Sequence, residues 1–307
     1  MPELPEVETV RAGLERHVLD REITAVEVYG TLGARVVRRQ LGGAAELSAR
    51  LQGRTLVTAV RRGKFLWLPL AGASGGEPGE ALVAHLGMSG QILLREPGAP
   101  VERHERVRLD IQHPEHGDLS VVFADQRTFG SLAIDALIPT PDAAPGGWGT
   151  TAASVPAQVA HIARDALDPA FRDADFRAAV ARKDSAIKRV LLDQSVVSGV
   201  GNIYADESLW AARIHPESTA KSLSTRAVNR LLADVRAILE KALAEGGTSF
   251  DAQYVNVNGQ SGYFSHSLNA YGRTGRPCPR CGRPIVRVSF TNRSSHFCPH
   301  CQKAPKA

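Results

Sequence analysis

The chain has 307 residues, 43% of them apolar and 22% charged, with 37 Lys+Arg against 32 Asp+Glu for a formal net charge of +5. That composition excludes a disordered chain, and the length suits about two domains with ordinary hydrophobic cores. The longest apolar stretch, Phe65 to Ala73, is far too short for a membrane span, and no basic-then-apolar leader opens the chain, so a cytoplasmic protein is expected.

Residues 4–19 place Val7, Val10, Leu14 and Val18 on one face of a helix, with Pro5 fitting its first turn. Apolar, β-rich segments follow at Ile23–Tyr29, Thr55–Leu70, Ala81–Leu94, Val107–Gln112 and Leu119–Ile134, broken by Gly, Pro and charged turns. Strands at short spacing without intervening helices predict an antiparallel sandwich or barrel over residues 1–138. Residues 139–158 are rich in Pro, Gly, Ala and Thr without an apolar period and read as an interdomain linker. Helical patterns then run over Asp173–Ala181, Ser185–Gln194, Asn202–Ala212 and Ser224–Glu245, the last closing at Gly246-Gly247. They define a helical domain over 159–270.

The remaining residues, 271–307, carry eight Lys+Arg and no carboxylate, which leaves 29 basic and 32 acidic residues, a charge of −3, upstream. The basic excess is thus concentrated in a tail suited to a polyanion. The same tail holds all four cysteines, Cys278, Cys281, Cys298 and Cys301, in a C-x2-C-x16-C-x2-C pattern. Two close thiolate pairs can surround one Zn2+, and the residues between them form a hairpin; Ile285 to Phe290 alternates as a half-buried strand should. Two disulfides are the alternative, disfavoured in a reducing compartment. So small a module cannot bury a core, and the metal would supply its folding energy.

Several short motifs can bear chemistry, each weak alone. Loss of Met1 would leave Pro2 as a secondary amine with an α-amino pKa near ~8, nucleophilic at neutral pH without burial. Glu3 beside it is a candidate acid or base, although a lone Pro-Glu more often merely starts a helix. Lys64, after Arg61-Arg62-Gly63, could meet a phosphate at a strand turn. Met88 sits between Gly87 and Gly90 in a tight turn from which it could wedge between bases. Arg127 and Phe129 are read on one side of a strand. The Gly199-Val200-Gly201-Asn202 turn between helices could hold a phosphate.

Taken in order, Pro2 to Glu8, Arg61 to Leu66, His85 to Gly90, Gln126 to Gly130, Gly199 to Tyr204, Tyr271 to Arg273 and the cysteine pattern resemble bacterial formamidopyrimidine-DNA glycosylase, an 8-oxoguanine DNA glycosylase and abasic-site lyase, nearly end to end. The resemblance implies a β-sandwich with an N-terminal helix, a helix-two-turn-helix domain and a zinc-finger hairpin. It implies one structural Zn2+ and a double-stranded DNA partner carrying oxidised bases, with a monomeric, nucleoid-associated enzyme of base excision repair. Pro2 becomes the Schiff-base nucleophile, Glu3 the proton donor at the sugar, Lys64 an aid to β-elimination and Arg293 the δ-elimination and phosphate-binding arginine. Met88, Arg127 and Phe129 match the trio that fills the gap left by the flipped nucleotide. His104, Asn202, Tyr271 and Arg273 match backbone contacts, and Lys188 matches a lysine near the lesion pocket. The chain departs from the family at Thr128, where a second arginine is common, and at Asp184, where a basic residue is common and Lys183 is the expected substitute. Two alternatives follow: the endonuclease VIII type, acting on oxidised pyrimidines, which Leu4 and the Met88 turn disfavour, and a noncatalytic zinc-ribbon DNA-binding protein.

Overall fold

The computed structural model describes residues 2–72, 76–248, 257 and 263–305. It divides into two compact units: 1–161 with 248–262, and 162–247 with 263–307. No helix among the described residues is long and apolar enough to cross a membrane.

The first unit opens with α1 (Leu4–His17) and β1 (Arg21–Val28), then α2 (Gly30–Val36) and α3 (Gly43–Leu51). It continues through β2 (Thr55–Leu56), β3 (Val60–Arg62), β4 (Phe65–Ala71), β5 (Glu80–His85), β6 (Gly90–Arg95), β7 (Glu105–His113), β8 (Gly117–Asp125), β9 (Ser131–Pro139) and β10 (Ser154–Pro156). All pairings are antiparallel, in the order β10-β9-β5-β4-β2-β1-β7-β8-β6, with β3 paired to β4. The sheet closes on its apolar face: Leu66, Leu68, Leu82, Ala84 and Leu132 from β4, β5 and β9 line one small cavity with Ile92, Val107, Leu109, Val121 and Phe123 from β6, β7 and β8. Apolar residues alternating along each strand make that shared interior. The α1 residues Val7, Val10 and Leu14, with Val18 at the helix end, join the same core, as their spacing requires.

Residues 139–158, expected as a linker, are built into this unit instead. Ser154–Pro156 pairs with Leu137–Pro139, and the backbones of Arg61 and Trp148 exchange two N–H···O bonds of 2.9 Å. The glycines that suggested flexibility permit close packing: a Cβ on Gly146, Gly147 or Gly149 would collide with the carbonyl oxygens of Ser154, Arg61 and Ala59. The chain also returns late. Thr248 bonds to Glu6, and Val257 packs into the core against Gly13 while its carbonyl accepts from the Leu94 N–H.

The second unit contains α4 (Asp173–Arg182), α5 (Ile187–Leu192), α6 (Asn202–Ala212), α7 (Thr225–Ala244) and the hairpin β11 (Val286–Phe290) and β12 (Arg293–Phe297). The second predicted helix, Ser185–Gln194, is shorter at both ends. Ala186 is extended before it, and after it the Asp193 carboxylate accepts from Ser195 N–H, starting a turn instead of another helical residue.

Candidate active site and nucleic-acid interface

In the first unit the N-terminal segment is fixed by carboxylates. Pro2 and Glu3 are buried, and Glu3 caps α1 through a reciprocal capping box with Glu6. The Glu3 N–H donates to Glu6 Oε2 at 2.8 Å, while Glu6 Oε1 accepts from Thr248 N–H at 2.7 Å and its hydroxyl at 2.9 Å. Glu6 therefore ties residue 3 to the late return of the chain; sequence reading missed this role, although the Glu-x-x-Glu spacing signals the cap. Glu8 fastens the same helix to β3: Arg61 Nε donates to it at 2.7 Å and Arg11 Nε at 2.8 Å. Met1, whose removal would bare Pro2, lies outside the described residues.

Arg61 and Arg62 are buried, with Arg62 Nε on the Gly146 carbonyl at 2.7 Å. They are frame, and Lys64 is the member of the motif that the turn presents. Gly63 (φ 56°) and Lys64 form the two-residue turn between the paired Arg62 and Phe65; the left-handed first position suits glycine. Next to it the His85 ring lies 4.8 Å from that of Phe65 and accepts the Gly87 N–H at Nδ1. Burial, then the positive charges of Lys64 and Arg39, push the His85 pKa down to about 4. Its unfolded value is near ~6.5, so between pH 6.5 and 4 the unfolded chain binds the extra proton and stability falls with acidification. Urea melts at pH 7 and pH 4.5 should differ by roughly 2 kcal/mol more in the parent than in His85→Gln.

Gln126 to Gly130 is a loop joining β8 to β9, correcting the expected strand, because Asp125 turns the chain. Its fully buried carboxylate accepts from Ser89 Oγ at 2.6 Å, Arg127 N–H at 3.1 Å and Gly130 N–H at 2.8 Å. Its own N–H donates to the His104 carbonyl at 2.8 Å. One residue thus gathers three segments, bearing Met88, His104 and, on a single loop, Arg127 and Phe129. Only an acid ending an apolar strand marked it in the sequence. Gly87, left-handed at φ 63°, lies so close to the Phe129 backbone that a Cβ would clash. Met88 and Phe129 remain 38% and 50% exposed, and the Arg127 guanidinium stacks 5.0 Å over the Phe129 ring. Large apolar side chains held out on rigid loops suit insertion into a base stack.

In the second unit the four cysteine Sγ atoms lie within 4.8 Å of one another, and no cysteine is disulfide-bonded. This donor set fits one tetrahedral Zn2+ and no catalytic one, since four thiolates close the site. The surrounding bonds are those of a structural centre: Trp210 Nε1–H donates to Cys278 Sγ at 3.4 Å, and buried Gln302 links Cys298 N–H to the Ile214 carbonyl. The hairpin above it turns at Thr291 and Asn292, so Arg293 is the first residue beyond the tip.

Two neighbouring acids on α6 hold the basic segments. Glu207 accepts the backbone N–H groups of Asn269, Ala270 and Tyr271, at 2.8 Å for the last two, fixing the Tyr271 to Arg273 turn. Asp206 accepts from His296 N–H at 2.8 Å and pairs with Lys188 at 2.6 Å. Lys188 was expected at DNA. It is instead fully buried, with its ammonium paired to Asp206 and donating to the Ser294 carbonyl (2.8 Å) and Ser295 Oγ (2.9 Å), so its charge is met inside the protein. Asn202 Nδ2 also reaches the Ser294 carbonyl, at 3.1 Å, which leaves its second amide proton for another acceptor. Lys183, half-exposed, pairs with Asp193 at 3.0 Å, and Asp184 with Lys221 at 2.7 Å.

Family models match in three blocks: the formamidopyrimidine-DNA glycosylase N-terminal domain over residues 1–132, the formamidopyrimidine-DNA glycosylase H2TH domain over 162–253, and a zinc finger found in FPG and IleRS over 275–304. A formamidopyrimidine-DNA glycosylase of Leifsonia xyli is 61% identical over 303 residues, covering 99% of this chain and 100% of the relative. One of Nocardioides sp. is 55% identical over 306 residues, covering 100% and 96%. Among solved structures, Lactococcus lactis Fpg bound to abasic-site DNA superposes with a TM-score of 0.79 at 30% identity, over 98% of this chain and 100% of that one. The same protein with Fapy-dG DNA gives the same values.

Proposed function

The chain belongs to the formamidopyrimidine-DNA glycosylase family, and on that premise we propose that it removes oxidised purines from duplex DNA and then cuts the strand through a Schiff base on Pro2. The observation that carries this reading is the N-terminus, where a buried imino acid is followed by a carboxylate held at the head of α1. Once Met1 is gone, the Pro2 nitrogen attacks C1′ of the deoxyribose and the damaged base leaves. The resulting iminium withdraws electrons, so the 3′ and then the 5′ phosphate depart by β- and δ-elimination. Glu3 protonates the opening sugar ring, Lys64 assists the first elimination, and Arg293 attends the phosphate of the second. Reaching a paired base requires extruding it, at a cost of a few kcal/mol. Met88 and Phe129 fill the vacancy and Arg127 meets the orphaned partner base. Asn202, His104, Tyr271 and Arg273 grip phosphates, in a monomer that works on the chromosome and so associates with the nucleoid.

Borohydride trapping on an 8-oxoguanine:cytosine duplex, run beside a thymine glycol duplex, tests the proposal. A covalent adduct on the first, weaker on the second and lost in Pro2→Gly, is expected. Absence of any adduct would assign the chain to noncatalytic zinc-ribbon binding, and preference for thymine glycol to the endonuclease VIII type.

A further inference from the structure

One cavity of the second unit borders Arg293 but is otherwise unused by the chemistry above. It measures about 340 Å³ and lies where α5 meets the tip of the zinc hairpin, with Lys183, Arg189 and Arg293 at its wall and Asp193 as its acid. Phe290, Val190 and Leu192 also line it, and an apolar lining strengthens any charge interaction made there. Asp193 is already neutralised by Lys183 and receives Ser195 N–H and Oγ–H. The Arg189 and Arg293 guanidinium groups, in contrast, make no hydrogen bond or ion pair among the described residues. Two unpaired guanidinium forks therefore approach one concavity from different segments, one on α5 and one on β12. Ser185, Thr291 and Asn292 add hydroxyl and amide donors around it. Guanidinium forks match phosphate oxygens, and the volume takes a phosphate with part of its sugar.

We infer that this cavity is a second phosphate seat, in which Arg189 grips a backbone phosphodiester of the bound strand adjacent to the one met by Arg293. The inference rests on the DNA-binding reading given above. It also reassigns the basic contact missing at Asp184: Lys183 is spent on Asp193, and Arg189 supplies the charge. Lys183 acts indirectly, by keeping the Asp193 carboxylate from repelling the strand.

The test is the salt dependence of affinity for a duplex carrying a noncleavable abasic analogue, measured for the parent, Arg189→Ala and Lys183→Ala. One lost phosphate contact should lower the slope of log K against log salt by about 0.9 in Arg189→Ala. Affinity should fall several-fold, by a similar factor on undamaged duplex. Lys183→Ala should weaken binding more than Arg189→Ala, because it bares the Asp193 carboxylate. Zinc content and melting temperature should not move in Arg189→Ala, since the side chain is exposed. A parent that binds duplex with a steep slope that Arg189→Ala leaves intact overturns the seat alone; a parent that does not bind duplex overturns the DNA reading and the seat with it. A loss seen only on nicked duplex bearing a 5′-phosphate would mean that the cavity holds a strand end, overturning the diester assignment.

Discussion

Glu3→Gln should lower base excision by about 10²- to 10⁴-fold while the variant still forms a borohydride-trapped adduct on a preformed abasic site. Glutamine keeps an acceptor for the α1 capping box and removes only the proton. An abasic sugar already opens to an aldehyde, so Schiff-base formation there needs no ring protonation. Single-turnover rates on the two substrates make the comparison. Equal loss on both would place Glu3 in holding the N-terminus and not in proton transfer. Glu3→Ala, which removes acceptor and proton together, should add a helix-capping loss of about 1 kcal/mol in thermal melts.

Stripping the metal should have the largest structural effect. Structural zinc contributes on the order of 10 kcal/mol to small modules of this kind, and the cluster it anchors is small: Trp210, Ala270, Cys278, Ile285 and Cys298. Cys298→Ser, or treatment with a strong chelator, should unfold the hairpin and with it displace Arg293. Duplex affinity should fall by at least about 10²-fold, as expected when several phosphate contacts go together. The indole N–H of Trp210 donates to Cys278 Sγ, so tryptophan fluorescence should report the loss in parallel. A zinc-free protein with unaltered duplex affinity would refute the role given to the hairpin.

What the sequence made legible was what repeats or stands at fixed spacing. The apolar period of α1, the alternation of the strands and the cysteine pairs all reappear in the fold. Glycine misled at 139–158 because composition cannot separate a flexible residue from one demanded by a close backbone approach; Gly146, Gly147 and Gly149 are the latter. Helices α2 and α3 escaped notice since each is short, and their buried residues, Val36, Leu47 and Leu51, are too few to establish a period. The supporting acids were hidden for a different reason. Asp125, Asp206 and Glu207 act through backbone N–H groups of distant segments, and such partners leave no mark in a local motif. Lys188 shows the converse, a motif match whose charge is consumed by Asp206 within the protein.

The bond from Glu6 to Thr248 and the seating of Val257 beside Gly13 have a bearing on biosynthesis. At about 5–20 residues per second, a ribosome needs roughly 10–50 s after making residue 6 before it supplies residue 248. Throughout that interval the N-terminal segment lacks its last partners, and a nascent chain stalled after residue 161 has its amine end held by the α1 cap and the Arg61–Glu8 bond without the Thr248 tie. Competence for repair therefore arrives late in translation, when the polypeptide is nearly finished.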